Sequence, residues 1–248
     1  MRKSVVFLGL FLLITPALWA DVLVDDFAFL STLPSYHAFL NAARNEGDAN
    51  KAEELKEKFT SLSLSDEQAS VLFIRSSVTL ARLYTEQKDA NKDRALALLG
   101  EAEQRLSTLD EKSFFHLALS AEIDGVHYLV NPRSLSKGIR SNAAIKEAYK
   151  QYPKQISSIL AMANSLIYAP AFAGGDKDKA LSLYLRLLQD ADAQLSTWDR
   201  ASIYSGIGIV AMKRKDWETA KQYFLAAKSL YRFDPSLDGY LAEVEEKL

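Results

Sequence analysis

The chain of 248 residues has no cysteine and only three histidines. Without cysteine there is neither a disulfide nor an acceptor for a lipid anchor, so stability is expected to come from packing. Three histidines spread over the whole chain leave little material for a triad or a metal centre. Two-residue apolar alternation is nearly absent, as are the paired turn residues that punctuate hairpins of strands, and this excludes an all-β reading. Charge of one sign is also lacking. Thirty lysines and arginines face 32 aspartates and glutamates, a formal net charge of −2, which gives nucleic acid no general attraction.

A long hydrophobic run is missing as well. The only concentrated one is Val5 to Ile14, too short for the ~20 apolar residues of a span. It follows Met1-Arg2-Lys3 and precedes Pro16 and Ala17-Leu18-Trp19-Ala20, so residues 1–20 read as a signal peptide cut before Asp21, although Leu18 is an unusual minus-three residue. The expected mature chain has 248 − 20 = 228 residues, read as a single domain over 21–248 without a membrane span. Losing Arg2 and Lys3 leaves 28 basic against 32 acidic residues, a net −4. A periplasmic or secreted location is the corresponding expectation.

Apolar residues recur at three- and four-residue spacing almost throughout, which predicts an all-α fold. Start signals repeat along it. Ser65 with Gln68 fits a capping box, Asp110 is placed to cap a helix over Phe114 to Leu129, and Asn131-Pro132 suggests a helix beginning at Pro132. Asp176, and Ser196 with Asp199, give later starts. Flanking helices are expected over Asp21 to Leu33 and Leu237 to Leu248.

An internal period is visible from Ala201 to about Pro235. There Tyr204-x-x-Ile207-Gly208-x-x-Ala211 is followed by Ala220-x-x-x-Phe224-x-x-Ala227. This resembles the tetratricopeptide repeat, which implies two antiparallel helices in close approach at Gly208 and Ala220, with Tyr204 and Phe224 filling gaps. Ala211 departs from the usual aromatic, and Pro235 comes three residues late. Small residues equivalent to Ala220 stand at Ala180, Gly138, Ala95 and Ala52, spaced by 40, 42, 43 and 43, against about 34 in the family. Seven residues after each comes Ala227, Leu187, Ile145, Ala102 or Phe59, an apolar stripe for every second helix. In the Gly138 unit, Ser141-Asn142 stands where other units carry Leu98-Leu99, Leu183-Tyr184 or Tyr223-Phe224. The expected fold is a right-handed array of about five antiparallel hairpins with flanking helices.

Chemistry is sparse. His116 and His127, eleven residues apart, sit about 16 Å from each other on one helix and share no metal; they read as half-buried packing residues. Asp25-Asp26 and Glu53-Glu54 read as solvated charges. Gly174-Gly175-Asp176-Lys177 lacks the ending of a phosphate loop. No catalytic residue, metal ligand or cofactor is expected. Two features stand out. Arg133, Lys137 and Arg140 place three cations on one expected helix face, either to dock an anionic group or to be balanced by Glu122 or Asp124. Tyr168 to Phe172 is an aromatic, uncharged insertion in which Tyr168 and Phe172 either fill a seam or line a binding groove.

The family resemblance implies a non-enzymatic scaffold that holds a protein or peptide on its concave surface. The stretch from Gly174 to Leu181 is similar, over one hairpin, to the tetratricopeptide-type component of tripartite ATP-independent periplasmic transporters. That second likeness implies a ligand-binding accessory protein able to enclose an apolar small molecule.

Overall fold

Side-chain caps set most helix starts in this chain, because the first backbone N–H groups of a helix have no partner within it. The computed structural model describes residues 22–170 and 174–248; the signal segment 1–20 and Phe172 lie outside the described residues. Among the described residues the fold is all-α, apart from an isolated parallel bridge between Val24 and Gln155. Eleven α-helices follow in order among them: α1 (Pro34–Asn41), α2 (Ala49–Glu57), α3 (Asp66–Glu86), α4 (Lys92–Leu106), α5 (Phe114–Val130), α6 (Leu135–Gln151), α7 (Ile156–Tyr168), α8 (Lys177–Asp190), α9 (Thr197–Lys213), α10 (Trp217–Leu230) and α11 (Pro235–Glu245). Ser65 and Ser196 form capping boxes with Gln68 and Asp199. Asp176 accepts from the backbone of Asp178 and Lys179. No described helix is long and apolar enough to cross a membrane.

Three expected boundaries are wrong, each for a local reason. Ser113, not Asp110, caps α5, accepting from the His116 N–H; the Asp110 carboxylate instead closes a turn on the Lys112 N–H. The next helix begins at Leu135 rather than Pro132, because Asn131 ends α5 and binds the Arg133 N–H in a turn of its own. Arg133 is therefore outside α6, and the three cations do not share one helix face. In place of a helix over Asp21 to Leu33, the described part of that segment makes the Val24 bridge and a short 3-10 turn, Ala28–Thr32.

The even-numbered helices share one plan. Each of Ala52, Ala95, Gly138, Ala180 and Ala220 is the fourth residue of its helix. Four of them are fully buried, and so are Ala102, Leu187 and Ala227 seven residues on. Gly138 is the exception. It is half-exposed, and the buried small residue of α6 is Ser141, whose hydroxyl donates to the Ala121 carbonyl. Consecutive helices pair most extensively as α3 with α4, α5 with α6, α7 with α8 and α9 with α10; α5 then lies on α3 and α4, and α9 on α7 and α8.

Glycine makes α9 the tightest of these contacts. A Cβ at Gly206 would come within 2.3 Å of the Tyr184 ring on α8, and one at Gly208 within 2.5 Å of Phe224 on α10. Both aromatic side chains are completely buried as a result, and each fully buried large side chain contributes about 1.5–3 kcal/mol before entropy is subtracted. Tyr204 is half-buried, its ring tilted against Tyr223 at 6.1 Å.

The buried side chains form two cores, one from Phe27 to Val130 and one dominated by Ile156 to Val244. The cores exchange residues. Leu23 is buried in the second, and Phe233 packs on the first. Gly47, at φ +66°, lets the Phe233 ring approach to 2.5 Å of where a Cβ would stand. The Phe233 N–H donates to the Arg44 carbonyl at 2.8 Å. Helices at opposite ends of the sequence are thus joined.

Candidate functional site

A charged side chain inside an apolar periodic stretch has to find a partner or water, since isolated burial of charge is costly. Arg75 lies in α3 amid Val71, Leu72, Ile74 and Val78, and Glu122 lies in α5 between Leu119 and Val126. They meet at 3.0 Å, with 17% and 31% of their side-chain surfaces still accessible. Phe27 lies under the Arg75 guanidinium at 4.1 Å. Asp199 from the first turn of α9, Tyr36 from α1 and Asp25 converge on the same point, each near enough to act on the Arg75 charge. Five separate parts of the chain meet there.

The electrostatics of this group are unbalanced, with three carboxylates around one guanidinium. Burial, followed by the Asp199 charge, lifts the Asp25 carboxyl to about 6, against the pull of the Phe27 N–H and of Arg75. Glu122 is raised by burial, with Arg75 opposing. Burial works against the charge on Arg75, but Glu122, Tyr36, Asp199 and Asp25 outweigh it and hold the guanidinium above its usual value. Burial also pushes the Tyr36 hydroxyl up to about 12.

Beside this cluster the surface becomes aromatic. Trp198 and Tyr231 stand 5.9 Å apart, and Arg44 lies over the Trp198 ring at 4.9 Å. Arg44 is only 4% exposed, pairs with Glu86 at 3.0 Å and approaches Asp234 at 3.9 Å. Glu86 also takes Arg82 at 2.5 Å. Tyr168, at the end of α7, keeps 63% of its surface accessible, yet burial lifts its hydroxyl to about 12, with Tyr240, Arg82 and Asp234 as neighbours. Side chains from α3, α5, α7 and α9 thus act on one another across one region of the molecule, beside which Phe233 is tied to Arg44. The arrangement can bind and orient a molecule; among the described residues it presents no nucleophile paired with a base.

Tyr168 is near this region through Arg82 and Asp234, while Lys137 and Arg140 pair elsewhere. Arg140 binds Asp124 through two 2.9 Å contacts, and Lys137 reaches Glu103 and Asp124 at 2.5 and 3.0 Å. Arg133 is exposed in the turn before α6. Of the two balancing carboxylates expected, Asp124 acts in that way and Glu122 points instead to Arg75. Asp25 is half-buried beside Arg75 and Asp199 and not on a solvated face, a correction to the sequence reading. Glu53 is likewise not simply solvated, since it accepts from the Tyr84 hydroxyl at 2.7 Å and pairs with Arg94. Glu53 and Arg94, with Lys56 over the Phe73 ring at 4.0 Å, line a surface groove of about 370 Å³.

His116 and His127 are half-buried, and burial lowers the His127 imidazole. His37 is exposed, its Nε2 2.8 Å from the Ser31 carbonyl. Among the described residues no cluster of His, Cys, Asp or Glu is arranged to hold a metal. Sequence reasoning missed Arg75, Tyr36, Arg44, Trp198 and Tyr231; for Arg75 the available signal was one charge on an otherwise apolar helix. No family model matches this chain, and neither curated proteins nor solved structures gave a match.

Proposed function

We propose that this chain is a non-enzymatic, exported binding protein of the tetratricopeptide type that holds a compact ligand in the recess around Arg75, Glu122, Asp199 and Tyr168. The observation that carries the reading is the joining of the chain's two ends. A long polypeptide needs an open groove along a helical array; the Phe233–Arg44 hydrogen bond and the ion pairs of Arg44 turn such a groove into a recess. Partly accessible aromatic walls with a few convergent polar groups are what small-molecule sites use. The surplus of carboxylate over guanidinium favours a ligand that presents a positive charge next to an apolar body. This matches the accessory-component reading of the Gly174 to Leu181 stretch, with a periplasmic transporter as the setting.

The second reading is a scaffold for a protein partner, favoured by the apolar residues that α5 and α6 leave exposed. Native mass spectrometry of the chain purified from its exported fraction separates the two. A small non-covalent adduct that is present in the unaltered chain and lost in Glu122→Gln and Tyr168→Ala supports the ligand reading. A co-purifying polypeptide without an adduct replaces it with the scaffold, and an adduct retained by both variants removes the recess from consideration.

A further inference from the structure

Large apolar side chains left in water tend to mark an interaction surface when they cluster. Four of the exposed ones fall within twelve residues, at the turn from α5 to α6: Tyr128 at 37%, Leu129 at 53%, Leu135 at 63% and Ile139 at 70% exposure. Leu135 and Ile139 are one turn apart and share a face of α6. Gly138 brings that helix against Tyr128, where a Cβ would stand 3.3 Å from the ring. Leu129 is seven residues past Glu122 on α5, so it falls on the same side of that helix.

Charge is interleaved with these residues. Arg133 is exposed in the turn between Leu129 and Leu135 and has no ion pair among the described residues. Lys137 and Arg140 lie in the following turns, sharing Asp124 and Glu103. Three cations against two carboxylates leave the turn positive, in a chain whose net charge is negative. An exposed turn that combines leucine and isoleucine with tyrosine and arginine has the composition of a segment that rests in a bilayer interface. The apolar groups enter the acyl boundary, tyrosine sits at headgroup level, and arginine meets lipid phosphate.

We infer that the α5–α6 turn docks this protein on an anionic lipid surface through Leu129, Leu135, Ile139 and Arg133. A protein partner of the same shape would need an acidic rim around an apolar centre. Two copies facing each other would bring Arg133 against Arg133.

Flotation of the full-length mature chain with vesicles tests this. One set contains phosphatidylcholine alone and the other contains phosphatidylglycerol at one third. Binding to the anionic vesicles is expected to exceed binding to the neutral ones by about tenfold and to weaken at high salt. The double variant Leu135→Asp, Ile139→Asp is expected to lose at least about tenfold, and Arg133→Glu several-fold. Leu225→Asp, which changes an exposed leucine on α10 away from the turn, is expected to bind as the unaltered chain does. Thermal melts of each variant show whether it is folded. Equal binding to both vesicle types, or full binding by the folded double variant, overturns the inference. So does an absence of vesicle binding together with a self-association that the double variant abolishes, because the occupant is then a second copy.

Discussion

The α9–α10 and α5–α6 pairs start from the same plan and finish differently. In α10 the fourth residue, Ala220, is buried, Asp216 caps the helix by accepting from the Thr219 N–H, and Phe224 fills the space that Gly208 leaves open. In α6 the fourth residue is half-exposed, Ser134 makes no side-chain cap, and only Ser141 and Ala148 are buried. The α5–α6 pair is held near its connecting turn by ion pairs, and the first turns of α6 leave Leu135 and Ile139 exposed where α10 leaves Leu225. Helix α6 thus keeps its place in the series with neither a side-chain cap nor a buried fourth residue, and packing constrains it less than α10.

The largest contrast should come from long-range ties. Arg44→Ala unfastens α9 from the first helices and leaves Asp234 without its buried cation, so it should cost about 3 kcal/mol or more in denaturant melts. Arg140→Ala removes an exposed pair and should cost under about 1 kcal/mol. Comparable losses from the two changes would erase the distinction between the regions. The glycines come next. Gly208→Val drives a side chain into Phe224 and should cost about 1–3 kcal/mol. Gly138→Ala meets only the partly exposed Tyr128 ring, and by relieving the entropy of a helical glycine it should change stability by less than about 1 kcal/mol in either direction.

Caps give a smaller effect. Asp216→Ala should cost about 1 kcal/mol and Ser134→Ala almost nothing, since Ser134 makes no cap bond to lose. A pH series on Asp25→Asn probes the recess to which both pairs contribute, α5 through Glu122 and α9 through Asp199. The folded-state pKa of Asp25 is raised from 3.8 to about 6. The neutral carboxyl therefore contributes stability that is complete below about pH 4 and lost as pH rises through about 6. The amide of the Asp25→Asn variant cannot ionise, so the variant should be more stable than the parent at pH 7.5 by about 1 kcal/mol, after allowance for solvent screening. The advantage should vanish near pH 3.5. A difference independent of pH would mean that Asp25 does not feel the recess.

What could be read from the sequence was local. Ser65, Asp176 and Ser196 announced their helices because a cap and the N–H it serves are two or three residues apart. Ala52, Ala95, Ala180 and Ala220 were legible because the same small residue recurs in the same part of each helix. Asp110 misled because Ser113 stands nearer the helix and competes for the same N–H groups, and Asn131 because its side chain closed a turn instead. The recess was hidden for the opposite reason. Asp25 reaches it only because Val24 hydrogen-bonds at Lys154 and Ile156, and Arg44 only because Phe233 returns from the far end of the chain. No periodicity in a short window carries such contacts.

The tie between Arg44 and Phe233 also bears on how the molecule comes apart. A row of helix pairs that touch only their neighbours can fray from either tip while the middle survives. Here neither tip can let go alone, so melting should be a single event in which both cores vanish together, and a nick in any connecting loop should leave the two fragments associated.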